Sequence, residues 1–133
     1  MLPPEALSCR VLGLGIDLVD IPRIRAAGER HGDRFLHKVF TDAERAAMSV
    51  RADPWPGYAA RFAAKEAVSK ALGTGIGEID WRSVSVTADA AGAPRVELDA
   101  KGEALLRARG GSRILISLTH TDTLAQACAL IVS

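Results

Sequence analysis

Cysteine is scarce in this chain of 133 residues. Cys9 and Cys128 lie far apart, with no CxxC spacing and no histidine beside either. That excludes a cysteine-rich zinc site and a disulfide scaffold, and leaves two free thiols of a reducing cytosol. Charge of one sign is scarce as well. The formal net charge is +1, so no global field draws the protein to nucleic acid or to a membrane surface. No apolar run approaches the roughly 18 residues of a membrane-spanning helix. The N-terminus carries no basic segment followed by an apolar run, which argues against a signal peptide. Repeats and low-complexity segments are missing too. The expectation is a soluble, cytoplasmic protein with one core. Residues 1–10 read as a short N-terminal extension and 11–133 as a single domain.

The richest stretch present is Arg61-Phe62-Ala63-Ala64-Lys65-Glu66-Ala67-Val68-Ser69-Lys70-Ala71-Leu72-Gly73. Alanine, leucine, lysine and glutamate dominate it, so it reads as a helix. At about 100° per residue, Arg61 and Lys65 share one side, and Glu66 and Lys70 a second. The remaining positions spread apolar surface over most of the circumference, as in a buried helix. Buried charges need partners. Glu66 and Lys70 can pair at i,i+4. Arg61 and Lys65 repel unless an anion sits between them, so the helix reads as a holder of a negatively charged ligand. Glu66 is then available for a cation.

The other elements follow from punctuation. Val11 to Val19 is an apolar run with two glycines, a strand whose backbone approaches something closely. Pro22 opens a helix that stops by Gly32, and Asp33 to Val39 is a short helical piece. Thr41 and Glu44 form a capping box for a helix to about Val50. Asp53 to Gly57 reads as a loop before the long helix. Gly73, Gly75 and Gly77 (GTGIG, with Thr74) end that helix in a turn that exposes backbone N–H groups. Strands at 84–87 and 95–98, a helix at 101–109, and strands at 113–118 and 124–132 complete the chain. The order β-ααα-ββ-α-ββ makes an α+β domain, an antiparallel-rich sheet on a long central helix.

Asp17 interrupts its apolar strand. It reads either as an N-cap or salt-bridge partner of Arg23 or Arg25, or as a magnesium ligand together with Glu66, because hard cations take carboxylate oxygens. Arg61, Lys65 and Lys70 suit phosphate, by fork and by point charge. A solvated face with snorkelling stems is the alternative. His120, at a strand end, reads as a hydrogen-bonded structural residue or a ligand contact. Trp55 and Trp81 read as packing groups. Arg23, Arg25, Arg30 and Arg34 give the first-helix region a positive excess.

Three segments, Gly13-Leu14-Gly15-Ile16-Asp17-Leu18-Val19 with Arg23-Ile24, Arg61 to Ile76, and Ile116-Ser117-Leu118-Thr119-His120-Thr121, resemble the holo-[acyl-carrier-protein] synthase family, the small 4′-phosphopantetheinyl transferases. The likeness runs over residues 11–131 with all motifs in family order. It implies transfer of the phosphopantetheine arm of coenzyme A to a serine of apo-acyl carrier protein, with release of adenosine 3′,5′-bisphosphate. It implies Mg²⁺ held by Asp17 and Glu66, with Glu66 and Lys70 as the catalytic pair. Arg61, Lys65, Lys70, Gly73, Thr74, Gly75 and His120 are then the coenzyme contacts, and Arg23 faces the carrier protein. A homotrimer with active sites between protomers is implied too. Departures are a missing acidic residue after Trp81, Pro22 beside Arg23, and the N-terminal extension. A magnesium-dependent hydrolase of nucleotides or coenzyme A needs the same carboxylates and cations, and a non-enzymatic coenzyme or carrier binder is the third reading. The hydrolase releases bisphosphate without carrier; the binder forms no covalent product.

Overall fold

A computed structural model describes residues 9–133, so most of the proposed extension (1–8) lies outside the described residues. The elements are β1 (Val11–Asp20), α1 (Ile21–His31), α2 (Asp33–Val39), α3 (Asp42–Ser49), α4 (Trp55–Leu72), a 3₁₀ turn (Trp81–Ser83), β2 (Val84–Ala88), β3 (Pro94–Leu98), α5 (Ala100–Ala108), β4 (Arg113–His120) and β5 (Leu124–Val132). This is the expected α+β order, with the short piece at 33–39 standing as a helix of its own.

The strands make two antiparallel sheets. One has the order β1-β5-β4, and the other is the β2-β3 hairpin. The long helix α4 lies against the larger sheet and is buried on nearly every side. Its alanines let β1 come close. A Cβ at Gly15 would overlap the Ala67 carbonyl, and one at Gly13 the Ala71 carbonyl, so both positions require glycine. That contact sets Asp17 beside the last two turns of α4. It is the close approach the two glycines predict.

Helix α4 starts earlier than the loop-like Asp53-Pro54-Trp55-Pro56-Gly57 suggests. Pro56 falls in the first turn, where a missing N–H costs nothing. Gly57 leaves room for the Met48 thioether, which a Cβ there would force to shift. The capping box of α3 forms as expected. The Glu44 N–H donates to Thr41 Oγ1 at 3.3 Å, and the Thr41 N–H donates to Glu44 Oε1 at 2.9 Å. On the far side of β1, Leu14, Ile16 and Leu18 are exposed (64%, 54% and 61%), as is Leu115 of β4.

Candidate active site

Asp17 points from β1 toward α4. There Lys70 donates to Asp17 Oδ1 at 3.2 Å and to the Ile16 carbonyl at 2.9 Å. Lys70 therefore reaches across to the strand rather than pairing with Glu66 along its own helix. Among the described residues Glu66 makes no ion pair. Arg25 pairs with Asp53 at 3.2 Å, and Asp17 with Lys70, so the reading of Asp17 as a partner of Arg23 or Arg25 is not realised. Asp17, Glu66 and Lys70 line one cavity of about 460 Å³, together with Asp20, Arg23 and Phe62. Burial pushes the Glu66 carboxyl up, the Asp17 charge pushes it further, and Lys70 pulls it back. A carboxyl whose ionisation is opposed by burial and by a neighbouring carboxylate suits a cation. Among the described residues no three acidic, histidine or cysteine side chains are grouped so that together they could hold a metal ion. The donor set is thus two carboxylates, all oxygen, and leaves several ligand positions to substrate and water, as magnesium sites commonly do.

A second cavity, of about 350 Å³, is lined by Arg51, Gly57, Arg61, Thr87, Thr119 and His120. Arg61 is buried. One guanidinium nitrogen donates to the Gly57 carbonyl at 3.3 Å, and Nε is buried without a partner. Burial, then the nearby Arg51 charge, pulls its pKa down. Arginine stays protonated regardless, so an anion in this cavity would satisfy it. His120 Nδ1 lies 3.1 Å from the Thr121 carbonyl. A carbonyl only accepts, so Nδ1 carries the proton and Nε2 is left for a ligand.

Two expectations need correction. Lys65 does not face a ligand anion. Its side chain is 0% exposed, and its ammonium binds Glu44 Oε1 at 2.7 Å. The Trp81 carbonyl, at 3.0 Å, and the Val84 carbonyl take the other two protons. The anion that the Arg61/Lys65 spacing asks for is supplied by the protein itself, from α3. Nor does the Gly73-Thr74-Gly75 turn form an N–H cradle. The Gly73 N–H donates to the Lys70 carbonyl, and those of Thr74 and Gly75 to the Ser69 carbonyl, at 3.0, 3.1 and 3.3 Å. All three are used to close the C-terminus of α4.

Two residues went unnoticed in the sequence. Arg51 joins the second cavity from the end of α3; a lone arginine after a helix gives no signal. Arg109 donates to the Leu72 carbonyl at 3.2 Å and to the Leu12 carbonyl at 2.9 Å. It ties the end of α4 to the start of β1 and sets a positive charge where the helix dipole is negative. On one chain, then, the expected site residues fall in four places, Lys65 standing apart in the buried cluster with Glu44. Asp17, Arg23, Glu66 and Lys70 share the first cavity, Arg61 and His120 the second, and Gly73 to Gly75 stand at the helix end.

Paired carboxylates beside a half-exposed lysine, with a buried arginine and a histidine on a separate cavity, are groups whose chemistry suits a hard cation and phosphate. The model of the 4′-phosphopantetheinyl transferase superfamily matches residues 13–128. The chain is 44% identical over 121 residues to the holo-[acyl-carrier-protein] synthase of Chlamydia trachomatis, covering 90% of this chain and 98% of that one. The crystal structure of the synthase from Neisseria meningitidis superimposes with a TM-score of 0.86 at 30% identity, covering 92% and 98% of the two chains. A Bacillus anthracis synthase in complex with coenzyme A (3′,5′-ADP) gives 0.76 at 30% identity, with 92% and 97% covered. The chain belongs to the 4′-phosphopantetheinyl transferase superfamily, in its holo-[acyl-carrier-protein] synthase branch. No helix among the described residues is long and apolar enough to cross a membrane.

Proposed function

We propose that this enzyme moves 4′-phosphopantetheine from coenzyme A to a serine of apo-acyl carrier protein, using Asp17, Glu66 and Lys70. The observation that carries the residue assignment is the convergence of these three side chains on one cavity. Asp17 and Glu66 are the residues that would hold Mg²⁺, and the all-oxygen pair suits it. When bound, the ion supplies charge neutralisation at the pyrophosphate and lowers the cost of the leaving group.

The chain's own residues do the rest. Lys70, half-exposed at 51%, offers its ammonium to phosphoryl oxygens as negative charge shifts onto the leaving bisphosphate. The carrier serine Oγ bonds to the phosphorus that bears the pantetheine arm. The bond from that phosphorus to the bridging oxygen breaks, and adenosine 3′,5′-bisphosphate departs with the electron pair. The serine proton goes to Glu66, directly or through a water it orients. Arg61 and His120 receive the remaining phosphate charge of the coenzyme.

Arg61 and His120 line a different cavity from Asp17 and Glu66 on the same chain. An active site built between protomers brings the two kinds of cavity together. The exposed Leu14, Ile16, Leu18 and Leu115 give the larger sheet an apolar outer face for that contact. We therefore favour a homotrimer, located in the cytoplasm, with Arg23 docking the carrier.

Mass spectrometry of apo-acyl carrier protein after incubation with coenzyme A, Mg²⁺ and this enzyme tests the reading. One added phosphopantetheine arm, lost with EDTA, supports it. Release of bisphosphate without carrier would replace it with a hydrolase.

A further inference from the structure

The β2-β3 hairpin forms no backbone ladder with the larger sheet. Yet Val86 and Thr87 of β2 line the second cavity together with Ala60 and Arg61 of α4. Something other than a sheet must set that separation. The free edge of β2 shows what it is. Its Val86 N–H donates to Glu44 Oε2 at 2.9 Å, and its Val84 carbonyl accepts from Lys65. Glu44 and Lys65 bind each other at 2.7 Å, both side chains fully buried. Glu44 Oε1 also accepts from the Thr41 N–H at 2.9 Å, and Lys65 also donates to the Trp81 carbonyl at 3.0 Å. One ion pair thus joins α3, α4, the 3₁₀ turn and β2.

Stability alone does not account for this pair. Well-packed apolar residues of similar volume often match or exceed a buried ion pair in stability. What apolar packing lacks is direction. The pair fixes the β2 edge to α4 through bonds of set length, at the position that follows Arg61 by one helical turn and precedes Glu66 by one residue.

We propose that Glu44 and Lys65 are positioning residues that hold the β2 wall of the coenzyme cavity at its distance from Arg61. This rests on the reading of that cavity as the coenzyme site.

The test is steady-state kinetics with coenzyme A and apo-acyl carrier protein, beside a thermal melt. The variant is the apolar pair E44L/K65M. Its melting temperature should stay near that of the wild type. Its KM for coenzyme A should rise about tenfold or more, as small misplacements do, with kcat per folded molecule and the KM for carrier protein unchanged. A merely structural pair would change the amount of folded enzyme and leave KM alone. A stable double variant with the wild-type KM for coenzyme A overturns the proposal. If the double variant does not fold, E44Q decides. Its amide oxygen serves the Thr41 N–H or the Val86 N–H but not both in place, so KM must rise, and an unchanged KM overturns the proposal equally. Wild-type enzyme that transfers no arm would instead sink the functional reading, before either variant is measured.

Discussion

Lys65 and Lys70 lie on one helix, five residues apart, and belong to different worlds. Lys65 is 0% exposed, with all three ammonium protons taken by Glu44, Trp81 and Val84. Lys70 is 51% exposed and holds Asp17, which is itself 17% exposed, at 3.2 Å. The first cluster is closed on itself. The second opens on a cavity that also holds the unpaired Glu66. Charge on a helix therefore identifies a ligand site only where the protein has left it incomplete.

Removing the incomplete cluster should have the largest effect. Glu66→Gln keeps the shape and removes one cation ligand. Turnover should fall by about 10²- to 10³-fold, the worth of several kcal/mol of charge stabilisation. Near wild-type kcat with saturating magnesium would remove Glu66 from the chemistry.

The two lysines can then be set against each other. Lys65→Met leaves Glu44 buried without its cation and should cost about 3–5 kcal/mol of stability, read by urea unfolding. Lys70→Met removes a partly exposed pair and should cost at most about 1 kcal/mol, while turnover collapses. Equal stability losses in the two variants would erase the distinction.

A smaller effect is expected at Arg23, which lines the open cavity from α1. Arg23→Glu should raise the KM for an acidic carrier protein several-fold, more at low salt than at high, and leave the KM for coenzyme A alone. An unchanged carrier KM would move the docking surface elsewhere.

The smallest effect is a pH dependence of stability. The Glu66 carboxyl binds its proton more tightly folded than unfolded, chiefly through burial. Stability therefore falls as pH rises from the ordinary carboxylate range through the raised value. Without added cation, Glu66→Gln should melt slightly above wild type near neutral pH, and the gap should close in acid. A gap that widens in acid would reverse the assigned direction.

Much of this was legible in the chain. The helical phase of Glu66 and Lys70 is a local property, and Gly13 and Gly15 announce a close approach without naming the partner. The capping box told that Glu44 binds the Thr41 backbone. It could not tell that the same carboxylate also serves Lys65 and Val86, because that contact joins elements distant in sequence. The place of Lys65 is hidden for this reason: spacing shows that Arg61 and Lys65 need an anion, and not whether the protein or a ligand supplies it. The Gly73-Thr74-Gly75 turn poses the same difficulty, since a run of glycines looks the same whether its N–H groups close a helix or face a substrate. Arg109 acts only through carbonyls of Leu72 and Leu12, contacts no local pattern encodes.

The magnesium dependence of phosphopantetheine transfer tests the open cluster most directly, measured for wild type, Asp17→Asn, Glu66→Gln and the double variant. If the two carboxylates form one cation site, each single change raises the half-saturating Mg²⁺ concentration. The double change then costs less than the product of the two, because the pair acts as a unit. Wild-type half-saturation in either single variant would contradict the account.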